Sequence, residues 1–167
     1  GGDTPETLAI ITLHGGNRHP EVLAWHRRVM VEHHGLPVNY IECPFQGVSH
    51  GQMMNHVLAQ TVDRPDAPTY YLWMDNDALL LRKEALADIW FTVRTKRAIW
   101  GQAWKAQHKA KPRGGCHPYA SQACLCFARE LYIALGRPDC DHHNPRSDTA
   151  EELTYAAEAQ GYTVALQ

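Results

Sequence analysis

Thr69-Tyr70-Tyr71-Leu72-Trp73-Met74-Asp75-Asn76-Asp77-Ala78-Leu79-Leu80-Leu81 is the stretch that decides the fold. Thr69 to Met74 is an unbroken run of strand-forming or apolar positions and predicts a strand buried on both faces. Two carboxylates leave the end of that strand. Apolar residues on either side draw the turn inward, where an unpaired ionised carboxylate is costly. A divalent cation removes that cost, and hard oxygen ligands suit magnesium or manganese. The carboxyl end of a central strand is also where open α/β sheets place ligands. Read alone, the tripeptide is more often an ordinary Asp/Asn turn.

Elements on both sides build a sheet around this strand. Leu8 to Leu13 predicts a first buried strand ending in His14-Gly15-Gly16-Asn17. A helix follows from Pro20, with Val22, Trp25 and Val29 on its apolar face and Gly35 as its stop. Val38 to Cys43 predicts a second strand. Ser49-His50-Gly51-Gln52 has the form of a capping box, with Met54, Val57, Leu58 and Thr61 at helical spacing behind it. After the Asp-rich turn, Lys83 to Val93 predicts a helix and Ala98 to Gly101 a strand. Lys105 to Tyr119 is polar, basic and rich in Gly and Pro, a loop that is either solvated or closes over a ligand through Lys105, Lys109, Lys111 and Arg113. Cys124 to Phe127 predicts a short strand, Arg129 to Leu135 a helix stopped by Gly136, and Asp148 to Gln160 a last helix, with a strand over Tyr162 to Leu166. The alternation of strand and helix predicts a mainly parallel α/β sheet covered on both faces, in one compact domain over 1–167.

Composition narrows the function. The 167 residues are 44% hydrophobic and 20% charged with a net charge of −2. That balance predicts a globular domain and gives no electrostatic footprint for nucleic acid. No apolar stretch reaches the length of a membrane span, and no amino-terminal segment has the pattern of a signal peptide. Gly1 to Pro5 is left out of the fold reading. Cys43, Cys116, Cys124, Cys126 and Cys140 form no repeating framework, so reduced thiols in a cytoplasmic protein are expected. Cys124 and Cys126 share one strand face and read as small buried residues. The eleven histidines are scattered and read mostly as solvated.

Tyr71 to Leu80, with Ala85-Leu86 after it, resembles the Asp-x-Asp region of nucleotide-sugar glycosyltransferases of the GT-A fold, family-2-like ones in particular. Gly51-Gln52-Met53-Met54-Asn55 resembles the helix before that motif. Cys124 to Glu130 with Leu135-Gly136 resembles the later strand and the segment after it, and Glu152-Leu153 with Gly161-Tyr162 the end of the final acidic helix. The resemblance implies a metal-dependent transfer of a sugar from a nucleoside-diphosphate donor to a carbohydrate or other hydroxyl acceptor. It implies that Thr12, His14, Gly15, Gln52, Asn55, Asp75 and Asn76 surround the nucleotide. Asp75, Asp77 and His143 would hold Mn2+ or Mg2+. The chain departs from the pattern in two places. The segment between the second helix and the metal strand is short, as if part of the nucleotide-binding half were trimmed, and Thr149-Ala150 stand where the late Glu-Asp pair would fall, with Asp148, Glu151 and Glu152 nearby.

The transfer needs a carboxylate within reach of the acceptor hydroxyl, and Asp148, then Glu151 and Glu152, are the candidates. Asp148-x-x-Glu151 is also a capping box. His142 and His143 are either a source of a third metal ligand or exposed loop residues. Cys116-His117 and Cys140 with His142 and His143 lack the spacing of a structural zinc site. Trp73, Trp90 and Trp100 belong to the core, while Trp104 and Tyr119 offer stacking surfaces for a sugar or base. Two other functions fit the same pattern: a sugar nucleotidyltransferase, for which His14 to Arg18 is a poor phosphate loop, and a non-catalytic nucleotide- or glycan-binding domain.

Overall fold

The computed structural model describes residues 6–16, 19–106, 117–142 and 147–167. Six strands form one sheet: β1 (Leu8–His14), β2 (Val38–Pro44), β3 (Tyr70–Met74), β4 (Ala98–Lys105), β5 (Pro118–Ala128) and β6 (Thr163–Leu166). Among the described residues five α-helices cover it: α1 (Pro20–Arg27), continued by a π-helical stretch Arg28–His33, α2 (His50–Thr61), α3 (Ala85–Val93), α4 (Arg129–Ala134) and α5 (Glu151–Ala159). Every residue of β1 and β3 is buried. That is the property of strands covered on both faces, and it explains their unbroken apolar runs.

The strand order is β2-β1-β3-β5-β4-β6. β1 is parallel to β2 and β3, and β4 is parallel to β6. β5 runs antiparallel to both of its neighbours, β3 and β4. The sheet is therefore mostly parallel, with one reversed strand that the alternation of elements did not reveal. β5 is also far longer than the expected Cys124 to Phe127. Its second half pairs with β3, while its first half reaches past the end of β3 and pairs only with β4. Pro118 is tolerated there because it opens the strand.

The two halves of β5 meet at an irregularity. Gly101 of β4 faces Leu125, yet the next residue, Gln102, faces Ser121. Three β5 residues are thus bypassed, and the carbonyl of Ala123 turns to accept the Asp75 backbone N–H at 3.0 Å. Gly101 permits the close approach: a Cβ there would lie 2.3 Å from that of Ala120.

α2 begins with the expected capping box, Ser49 Oγ accepting from the Gln52 N–H and Gln52 Oε1 from the Ser49 N–H. It delivers Met54, Val57 and Leu58 to the core. A short link then enters β3, and β2 is the outer strand of the sheet on this side. Trp73 and Trp90 are buried as expected. Among the described residues no helix is long and apolar enough to cross a membrane.

Candidate functional site

β1, β2 and β3 deliver their carboxyl ends to one edge of the sheet, and the Asp-rich turn lies there. Ala78 N–H donates to the Asp75 carbonyl at 3.0 Å, closing a four-residue turn. The turn sorts its side chains. Asp75 is half-buried and Asp77 exposed, whereas Asn76 is 5% exposed. The inward pull expected for the carboxylates therefore falls on the amide between them, which is much cheaper to desolvate than a charge. Asn76 Oδ1 is buried without a hydrogen-bond partner. The charge of Asp75 is felt inside the sheet: burial, then Asp75, push the Cys124 thiol up to about 12.

A cavity of about 210 Å³ opens beside the turn, lined by Leu13, His14, Gly15, Phe45, His50, Asp75, Asn76 and Asp77. His14 is locked in one tautomer. Its Nδ1 accepts the Gly16 N–H at 3.2 Å, so Nε2 carries the proton and donates to Glu42 Oε1 at 3.1 Å. Gly16 sits at φ +80°, a conformation that suits glycine. The His50 ring meets Phe45 edge-on at 5.8 Å, and burial holds its pKa below the ordinary histidine value. His14, Gly15, Asp75 and Asn76 thus share one cavity. Thr12, two residues before His14 on β1, is fully buried with an unpartnered hydroxyl and is not part of the wall.

Gln52 and Asn55 have other tasks in this structure. Gln52 closes the capping box. Asn55 Nδ2 donates to Asp139 Oδ1 at 2.6 Å, and its Oδ1 accepts the Cys140 N–H at 2.8 Å. Ser49 Oγ donates to Asp141 Oδ1 at 2.6 Å. Gly51 completes the seam, since a Cβ there would lie 2.3 Å from the Cys140 carbonyl oxygen. The start of α2 is thereby clamped to the 139–141 segment, which in turn accepts the Ala150 N–H on the Cys140 carbonyl at 2.8 Å.

The acidic residues before α5 separate into distinct roles. Ala150, not Asp148, is the residue before the first turn of α5; it is buried, holds φ 62°, and no side chain caps this end. Glu151 is fully buried. Its carboxylate accepts the Tyr155 hydroxyl at 2.5 Å and the Asp148 N–H at 3.3 Å. Asp148 is half-buried. Burial, reinforced by the charges of Asp148 and Glu151, raises the Tyr119 phenol far above its ordinary value. Tyr119 is therefore a buried neighbour of these acids and not a stacking surface. Trp104, paired with it across the β4–β5 ladder, is 49% exposed. Glu152 is half-buried on the same turn of α5. None of the three acids lines the cavity beside Asp75.

Sequence reasoning missed the histidines behind the turn. His26 of α1 is buried, with Nε2 3.0 Å from the Ala78 carbonyl and Nδ1 2.6 Å from the Tyr40 hydroxyl. His33 and His34 reach the carbonyls of Leu81 at 3.0 Å and Leu80 at 2.5 Å. Eleven histidines without regular spacing carry no signal of this; only the helical offset of His26, His33 and His34 hints at a shared side.

The donor set bears on which cation fits. Asp75 and Asp77 offer hard oxygens, and the orphaned Asn76 oxygen lies between them in sequence. Among the described residues no three of His, Cys, Asp and Glu are grouped to hold a metal. Such a set suits Mg2+ or Mn2+, which keep water and phosphate in most positions, and does not suit a closed zinc cage. His143 lies outside the described residues, as do Cys116, Asn17, Arg18 and the loop cations Lys109, Lys111 and Arg113. His142 pairs with Asp141, His117 with Glu158, and Cys140 is buried. A second cavity, of about 580 Å³, lies at the opposite edge near Glu6, Thr69, Lys96, Arg129 and Glu130; its charges are mixed, with Lys96 on Glu130 at 3.2 Å.

No protein-family model matches the sequence, and no curated protein matches it either. Solved structures do match the fold. The crystal structure of 4-diphosphocytidyl-2C-methyl-D-erythritol synthase is similar over 98% of this chain and 89% of its own, with a TM-score of 0.59 and 12% identity. A glycosyltransferase involved in the glycosylation of the major capsid of PBCV-1 is similar over 96% of this chain and 81% of its own, with a TM-score of 0.57 and 10% identity. At such identities the likeness concerns architecture alone. The six-stranded α/β sheet with its reversed strand is the nucleotide-diphospho-sugar transferase-like fold.

Proposed function

We propose that the chain is a metal-dependent glycosyltransferase that moves a sugar from a nucleoside-diphosphate donor to a hydroxyl acceptor. The observation that carries this reading is the turn itself. Two carboxylates flank a buried, unpartnered amide oxygen on the wall of a cavity at the carboxyl end of β3. Buried acceptors without partners are rare in folded proteins, and a bound ligand is a common reason for one. Asp77, exposed, would hold Mn2+ or Mg2+. Asp75 would reach the ion through water or hold the ribose, and His14 and Gly15 would face the nucleoside. Bound there, the cation would neutralise charge growing on the departing diphosphate.

In the transfer, the bond from the sugar carbon to the diphosphate oxygen breaks, and the acceptor oxygen forms the new bond. The acceptor proton needs a base. Asp148 is our choice, because it is only half-buried and Glu151 holds its backbone N–H. Glu151 is enclosed, which suits a supporting role better than proton transfer, and Glu152 stands behind both.

A melting-temperature panel of UDP-, GDP- and CMP-sugars, each with and without Mn2+, tests the reading. A donor should stabilise the wild type only with metal, and Asp77→Asn should remove the shift. Equal stabilisation of the mutant would overturn it. A second reading, a sugar nucleotidyltransferase, draws on the fold shared with a protein of that kind. Release of pyrophosphate from a nucleoside triphosphate, in place of nucleoside diphosphate from a nucleotide sugar, would select it.

A further inference from the structure

The segment from Ala78 to Lys83 lies in neither helix nor strand, so its carbonyls have no ladder to accept into. His26 and His33 of the α1 stretch and His34 at its end supply the donors. His26 reaches the carbonyl of Ala78 and His33 that of Leu81, while His34 lies within reach of those of Leu80 and, at 3.2 Å, Lys83, of which a ring with one N–H serves one. His26 differs from the other two. It is 1% exposed. Its ring holds the Ala78 carbonyl, and the Ala78 N–H closes the turn onto the Asp75 carbonyl at 3.0 Å, so the far end of the Asn76-Asp77 turn is anchored to α1.

Chemistry fixes which way that ring is protonated. A carbonyl only accepts, so Nε2 carries the hydrogen, and the bare Nδ1 accepts from the Tyr40 hydroxyl at 2.6 Å. Tyr40 belongs to β2 and His26 to α1, and the turn follows β3. Three elements thus converge on one imidazole. Burial alone favours the neutral ring, in agreement with this pattern.

We propose that His26 is a positioning residue for the Asp75–Asp77 turn, holding its backbone so that the two carboxylates present a ready cation site. The proposal rests on the functional reading above, because it is metal-dependent nucleotide binding that the turn would serve. A ligand site gains affinity when its groups are held in place beforehand by a supporting shell. His26 never touches the ion or the nucleotide in this arrangement. It acts through the backbone of Ala78, whose N–H closes the turn onto Asp75.

The test compares His26→Leu, His26→Gln and Tyr40→Phe with the wild type. Leucine fills the space without a donor, and the glutamine amide restores one. Tyr40→Phe keeps the ring volume and removes the hydroxyl that fixes the tautomer. The probe is Mn2+, titrated with whichever of UDP, GDP, CDP and ADP raises the wild-type melting temperature most. Amide hydrogen exchange over residues 75–83 is followed without ligand. The expected result is a Mn2+ midpoint raised about tenfold by His26→Leu, the size of one lost hydrogen bond, with faster exchange in 75–83. His26→Gln should stay within about threefold of the wild type on the same scale. Equal behaviour of the leucine and glutamine variants, or unchanged exchange over 75–83, would overturn the proposal. If His26→Leu does not fold, Tyr40→Phe decides: a raised midpoint with faster exchange supports positioning, and wild-type values of either refute it. A wild type that binds no nucleotide with Mn2+ defeats the functional reading first, and the positioning role with it.

Discussion

Tyr119, at the start of β5, is buried beside Asp148, just ahead of α5, and burial followed by the Asp148 charge raises its phenol. The arm of the sheet that passes the end of β3 thus meets the acids closest to the last helix. Asp148 is half-buried there, while Glu151 beside it is sealed in. If Asp148 is the base, Asp148→Asn should lower kcat by at least about 100-fold with little change in donor KM. Tyr119→Phe, which takes a buried hydroxyl from beside that carboxylate, should lower kcat by no more than about tenfold. Steady-state kinetics on both variants checks the order. A Tyr119→Phe loss that exceeds that of Asp148→Asn would move the base elsewhere.

Metal affinity should depend on the nucleotide. With two carboxylates and no third ligand grouped beside them among the described residues, Mn2+ alone should bind weakly. A nucleoside diphosphate completes the coordination, so calorimetric affinity for Mn2+ should rise by about tenfold or more when the nucleotide is present, and the linkage must hold in both directions. Chelation should then release the nucleotide without unfolding the chain.

Stability should fall on acidification through the histidine range. Burial holds the pKa of His26 and of His50 below the unfolded value, so between the two values the unfolded chain binds more protons. Stability therefore rises with pH in that window and is complete above about 6.5, the ordinary histidine pKa. Urea midpoints measured from pH 5 to 7.5 should climb and then level off. His26→Gln should flatten part of the slope.

Gly51 allows a direct check of the seam between α2 and the 139–141 segment. A methyl group there meets backbone atoms, not a flexible side-chain end, with the Cys140 carbonyl oxygen 2.3 Å away. Gly51→Ala should cost about 1–3 kcal/mol of stability in denaturant unfolding, as overpacking does. It should also weaken donor binding, because His50, next to it, lines the cavity.

How much of this was legible in the residues varies with the physics behind each feature. β1 and β3 were readable because strands buried on both faces are unbroken apolar runs, and α2 because its capping box is local. The direction of β5 was not, since pairing partners lie far apart and leave no local mark. Its first half was hidden because Pro118 and Tyr119 closed a stretch that read as loop, and the small and polar residues after them carry no strand pattern. Asp75 and Asp77 were singled out from the turn alone and line the cavity, but the burial of Asn76 was misplaced onto its charged neighbours. Gln52 and Asn55 could not be separated into helix cap and loop clamp without seeing Asp139 and Cys140. His26 left only its helical offset from His33 and His34 as a hint, because its partners are a backbone carbonyl and a tyrosine from another strand.

The seam at Gly51 also has a place in time. Its hydrogen bonds join residues 84 to 92 positions apart. Contacts of that span close slowly, whereas a capped helix or an adjacent strand pair forms within microseconds. A refolding chain should therefore regain its helical signal before the 139–141 segment settles against α2. The cavity beside Asp75 would acquire its final shape late, and nucleotide binding would mark the end of folding.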